Sequence, residues 1–259
     1  MTLVTVTLGF DDQTLGKAVD EYLDDPTAAT TAYGPIGSWN VTEVTDMSSL
    51  FFRALDFDGD LGLWDVSNVK NMDYMFSGAS SFRGAGLENW NVGSVETADS
   101  MFRAATAFNG DIGNWDTSSL LVMSRMFFFA ENFNQDLIWD TSSVTDFSYL
   151  FSYASKFNGD ITSWDTSKGT TMNSMFFLAE QFNQDITTWD TSSVSDVSLM
   201  FSGASSFDFD LICWSLAANV TGLAPPLYDL ACTDCPCFTS KAPTALPTPI
   251  PSPMPTPLA

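Results

Sequence analysis

"WDTSSVTDFSYLFSYASKFNGDITSW", residues 139–164, runs from one tryptophan to the next, and its reading decides the fold. Val144, Phe147, Leu150, Phe151, Ala154 and Phe157 step by three, three, one, three and three, the stripe of an amphipathic helix. Ser143 and Asp146 have the spacing of a capping box. The pattern predicts a helix of roughly ten residues from near Val144, ending at the turn formers Asn158 and Gly159. The remainder, "DITSWD", is too short for a second helix and suits one β-strand.

This unit recurs. The eight tryptophans, Trp39, Trp64, Trp90, Trp115, Trp139, Trp164, Trp189 and Trp214, are spaced by 25, 26, 25, 24, 25, 25 and 25 residues. Phe51, Phe76, Phe102, Phe127, Phe151, Phe176 and Phe201 keep step with them, as do Phe57, Phe82, Phe108, Phe133, Phe157, Phe182 and Phe207. A unit this small cannot bury its apolar stripe alone, so neighbours must stack. The expected fold is an α/β repeat solenoid of the leucine-rich-repeat kind, about seven or eight coils, with short parallel strands on one face and short helices on the other. A helical array with the strand read as loop is the alternative.

The stretches "FNGDIGNWDTSSL", "FNQDLIWDTSSVTDFSYLFSYASKFNGDITSWDTS" and "FNQDITTWDTSSVSDVSLMFSGASSF" resemble the BspA-like leucine-rich-repeat surface proteins, the 25-residue repeat class once filed as domain of unknown function 285. The resemblance covers about residues 35 to 215 and implies a solenoid with an adhesion or interaction role. It carries over no catalytic residue. The chain departs from the pattern at Ala98, where methionine is usual, and at Gly169, where the helix-start valine is missing.

Four regions follow. Residues 1–34 read as an N-terminal cap with a helix, because Leu15, Val19 and Leu23 fall at four-residue steps. Residues 35–216 are the repeats, 217–240 a cysteine-containing C-terminal cap, and 241–259 a Pro/Thr/Ser-rich stalk or linker. Cys213, Cys232, Cys235 and Cys237 lack the second C-x-x-C pair or the histidines that zinc wants, and lack the strand-to-helix context of a redox dithiol. Disulfides in an oxidising compartment are expected of them. The sequons at Asn40 and Asn219 agree with secretion.

A net charge of −23, from 32 acidic and 9 basic residues, argues against nucleic acid and anionic lipid as partners. Histidine is absent, which removes Ser-His-Asp and Cys-His catalysis and every His-ligated metal site. The opening "MTLVTVTLGFDD" is no signal peptide, and no apolar run is long enough to span a membrane. An extracellular or surface location therefore requires a signal that was removed or lies outside this stretch.

Three polar ladders accompany the aromatic ones. Asp60, Asp111, Asp136, Asp160, Asp185 and Asp210 precede the tryptophans, and Asp65, Asp116, Asp140, Asp165 and Asp190 follow them. Asx-type turns account for both. Calcium held between coils by Asp111, Asp136, Asp160 and Asp185 is the alternative for the first. Thr117, Thr141, Thr166 and Thr191 form the third ladder, for which ordered surface water and ice binding compete with turn chemistry. The carboxylates recur where glycoside hydrolysis needs a singular pair, so no enzyme is expected. The reading is a non-enzymatic surface module that binds protein or glycan, with self-assembly into a filament or layer as the alternative.

Overall fold

The structure is a computed structural model that describes residues 9–208, Trp214 and Thr221. Within it the decisive unit builds its backbone differently from the expectation. Phe147, Tyr149, Phe151 and Tyr153 donate their amides to the carbonyls of Thr171, Asn173, Met175 and Phe177, one coil on, at 3.0, 2.9, 2.9 and 2.7 Å. The amides between them turn back on their own coil: Leu150, Ser152 and Ala154 donate to Phe147, Tyr149 and Phe151. An α-helix would send every amide four residues back. The helix expected from Val144 is therefore not formed, and its place is taken by overlapping tight turns.

Tyr149 and Tyr153 have φ of 58° and 60°, the left-handed geometry that the third residue of a type II turn requires. The same two places are left-handed in the other coils, as at Ser49 and Arg53, Arg125 and Phe129, and Ser174 and Leu178. Side chains disfavour this conformation by about 1 kcal/mol per residue. Hydrogen bonds to the adjacent coil hold it. Because a turn every four residues spaces side chains much as a helix does, the apolar stripe is correct although the backbone is not. Val144, Phe147, Leu150, Phe151, Ala154 and Phe157 are all buried.

The strand expected at residues 160–165 is also not formed. Parallel pairing is reduced to single-residue bridges, Asp46–Asn71–Thr97–Val122 and Asp146–Thr171–Asp196–Thr221. These lie where the helix start was predicted. Asp146 accepts the amide of Ser148 at 2.8 Å, an Asx turn in place of the capping box. Among the described residues the coils thus contain neither α-helix nor extended strand, and the molecule is a largely irregular stack ordered by its repeats.

Aromatic columns fill the stack. Indole rings of Trp90, Trp115, Trp139, Trp164, Trp189 and Trp214 follow one another at 6.2–6.4 Å, within 9° of parallel. Phe76, Phe102, Phe127, Phe151 and Phe176 stack at 5.5–5.8 Å, and Phe108, Phe133, Phe157 and Phe182 at 5.6–6.0 Å. Within a coil the two phenyl rings touch face to face, at 3.8 Å for Phe151 and Phe157. From Trp64 onward each indole N–H also crosses back by one coil, whereas that of Trp39 donates to Gly34 in the cap. Trp139 donates to Ile112, Trp164 to Leu137 and Trp214 to Ile186, at 2.9, 2.9 and 3.0 Å. A buried indole needs such a partner, and here the partner locks the coil register.

The expected N-terminal helix is two helices, α1 (Leu15–Asp24) and α2 (Pro26–Tyr33). Pro26 forces the break, because the residue before a proline is driven to extended geometry; Asp25 has φ −140° and ψ 90° and caps α2 through the amides of Thr27 and Ala28. Leu15, Ala18 and Val19 are buried, while Leu23 is exposed. Phe10, Tyr22 and Tyr33 surround the Trp39 ring at 5.0, 6.1 and 5.8 Å and close that end of the Trp column. The cap supplies a backbone substitute as well. In later coils one carbonyl accepts two successive amides, as Thr45 does from Lys70 and Asn71. For the first coil, the carboxylate of Asp12 accepts the amides of Thr45 and Asp46 at 2.7 and 3.0 Å.

Candidate functional site

The acidic ladders are spent on turns. In the ladder after the tryptophans, Oδ1 of Asp65, Asp116, Asp140, Asp165 and Asp190 accepts the amide two residues on, at 2.9–3.1 Å. The Ser hydroxyls two residues on, together with these amides, hold the carboxyls of Asp65, Asp116, Asp165 and Asp190 below the usual carboxylate range. Asn40 and Asn91 do the same work in their coils. The sequon Asn40 is half-buried, its Oδ1 accepting from both the amide and the hydroxyl of Thr42.

Of the four residues considered for calcium, Asp160 and Asp185 accept from the amides and hydroxyls of Thr162 and Thr187. Asp136 accepts the amide of Asp160 in the next coil at 2.8 Å. Asp111 is exposed. Among the described residues no group of three or more Cys, Asp or Glu side chains is gathered so as to hold a metal ion.

The threonine file does not face water. Thr117, Thr141, Thr166 and Thr191 are buried, and the first three donate to the carbonyls of Asp140, Asp165 and Asp190 at 3.0, 2.8 and 2.9 Å. A hydroxyl buried between coils is not at the surface where it could order water. Cys213, Cys232, Cys235, Cys237, Asn219 and Asp210 lie outside the described residues.

A ladder that the sequence reading passed over explains the "FN" of the four central repeats. Oδ1 of Asn109 accepts the amide of Asn134, Asn134 that of Asn158, Asn158 that of Asn183, and Asn183 that of Asp208, at 2.7–2.8 Å. Its signal was the invariable asparagine after phenylalanine in the central coils.

The outer surface of the turns differs from the rest. Three positions per coil lie there, the two left-handed ones and the residue just before the second; Ser77, Ser100, Ser152 and Ser174 among them are buried, and the rest are exposed or half-buried. Across seven coils these 21 positions contain no acid, although the chain has 32. They hold Arg53, Arg103 and Arg125, and every described aromatic residue outside the core columns, Phe147 and the N-terminal cap. Phe129 stacks on Tyr153 at 4.2 Å, and Phe128 meets Tyr153 edge-on at 5.7 Å. Tyr153 touches Phe177 of the next coil at 5.2 Å. The guanidinium of Arg103 lies over Phe128 at 5.5 Å and that of Arg125 over Tyr149 at 5.1 Å, cation–π geometry in both cases. Asp99, beside the strip, is half-buried, with one oxygen accepting the Ser124 hydroxyl and lying 4.0 Å from Arg125.

Among the described residues no helix is long and apolar enough to cross a membrane. No curated protein and no solved structure matches the chain. The family model described as Mycoplasma protein of unknown function, DUF285, matches twice, over residues 24–138 and 137–225. With its repeats spanned by both copies, the chain belongs to that family.

Proposed function

We propose that the chain is a non-enzymatic interaction module, secreted or displayed at the cell surface, whose stacked coils present an extended face to a protein or glycan. One observation carries this reading. Between coils the inner positions repeat as Trp, Phe and Phe, while the first left-handed position runs Ser49, Tyr74, Ser100, Arg125, Tyr149, Ser174 and Leu199, of which only Ser100 and Ser174 are buried. A fixed interior with a varied outer column is what a recognition scaffold needs, since solenoids recognise partners through their extended surfaces. Kinship with leucine-rich repeats belongs to the same proposal and is supported by the parallel bonding between coils. The cysteine cluster and the Pro-rich tract after Lys241 support an oxidising, extracellular setting with a stalk.

The capped N-terminal end speaks against a filament grown by continuing the coils, because Asp12 and Phe10 occupy the first coil's bonding groups and ring face. The test is saturable binding of the full chain to arrays of immobilised extracellular proteins and polysaccharides, with sedimentation velocity alongside. Retention on a defined partner by a monomer is expected. A chain that retains nothing and instead assembles with rising concentration would defeat the proposal.

A further inference from the structure

Resting on the interaction-module reading, we infer that the acid-free strip on the turns binds a linear, uncharged polysaccharide lying along the stack, centred on Phe128, Tyr149, Tyr153 and Phe177 and flanked by Arg103 and Arg125. Shape comes first. Seven coils at about 4.8 Å and five residues of breadth at about 3.3 Å each bound the strip at roughly 30 by 17 Å. Its area is then about 500 Å², short of the ~800 Å² per partner of a stable protein interface. A single extended chain fits it better.

An extended peptide would gain little there. The backbone of the strip is already bonded to the adjacent coil or within its turns, as Phe128, Phe129, Ser152 and Tyr153 show. No unpaired edge remains along those residues for strand addition. A polyanion would meet the field of a chain carrying −23. The arginines do not reverse that field, since the strip holds only three of them against the chain's −23; Arg103 and Arg125 are exposed beside the rings they cover. Aromatic faces accept the C–H faces of pyranose rings, and guanidinium edges donate to hydroxyls without requiring charge. A repeating polymer also suits a surface that repeats with every coil.

The full chain is to be tested by affinity electrophoresis against hydroxyethylcellulose, a soluble β-1,3-glucan and mannan, with alginate and heparin as charged comparators. At least one uncharged polymer should retard it. Phe128→Ala and Tyr153→Ala should each weaken retardation about tenfold, as loss of an aromatic anchor does. Arg103→Gln, at an exposed site that does not disturb the core, should weaken it several-fold, and Leu63→Ala, exposed but off the strip, should change nothing. Thermal melts of each variant verify folding. Retardation by alginate or heparin alone, equal binding by Arg103→Gln and the parent, or binding only to a purified polypeptide each overturns the polysaccharide assignment while leaving an interaction module. Failure to bind any immobilised protein or polysaccharide removes both.

Discussion

The ring of Phe147 occupies the space that a side chain at Gly169 would enter: a Cβ built there would lie 3.1 Å from the ring and 3.0 Å from the Thr166 carbonyl. Phe147 stands where Met47, Met72, Met123 and Met172 stand in other coils, and Gly169 stands where Val44, Val69 and Val194 do. A large residue in one coil thus fills the room left by a missing one in the next. Gly169→Val alone should destabilise by about 1–3 kcal/mol through overpacking. Paired with Phe147→Met it should recover much of that loss, and the coupling energy from urea unfolding of the two single variants and the double variant measures it.

Ala98 leaves the complementary defect. It lines a small cavity with Met72, Val95, Met101 and Leu120, at a position where four other coils carry methionine. Ala98→Met should fill it and stabilise by about 1 kcal/mol. The melting temperature should rise by about 2–4 °C.

Removing one indole donor tests the register lock. Trp139→Phe keeps a ring in the column but removes the indole donor to the Ile112 carbonyl at 2.9 Å, leaving that carbonyl only the Trp115 amide at 3.2 Å. A loss of about 0.5–1.5 kcal/mol is expected, the net contribution of one hydrogen bond. Faster hydrogen exchange should spread from coils on both sides of residue 139.

Asp12 acts as a stand-in for a preceding coil, so Asp12→Ala should loosen the first coil before the others. Exchange of the Thr45 and Asp46 amides should accelerate, while that of Phe151 and Phe176 should not.

Acid should uncouple the turns. Bonds from the amides of Asp46 and Thr45 hold the Asp12 carboxyl below its ordinary range, and those from Ser and Thr two residues on do so for Asp65, Asp116, Asp160 and Asp165. A depressed folded-state value contributes stability that is complete above the unfolded value, about 3.9, and is lost as pH falls through the folded one. Urea midpoints should therefore lose this contribution only below about pH 4. A plateau continuing to pH 2 would contradict it.

Sequence alone determined the coil length, the three aromatic columns and the apolar stripe of each coil, because each coil needs the same filling as its neighbour and the filling is written at a fixed period. It also located Asx turns at aspartates that bond only two residues away, an interaction local in sequence. Tertiary structure decided the backbone. Whether Tyr149 donates its amide to Thr145, as in a helix, or to Asn173 is a choice between a local and a distant carbonyl, and side-chain periodicity is nearly the same for both. The same reason hid the candidate site: Phe128, Tyr153 and Arg103 read as the outer face of separate helices, and only the stacking of coils brings them onto one strip. For Thr141 and Thr166 the sequence left turn chemistry and a water-ordering surface file both open, because the carbonyls of Asp165 and Asp190 that accept their hydroxyls belong to the adjoining coil.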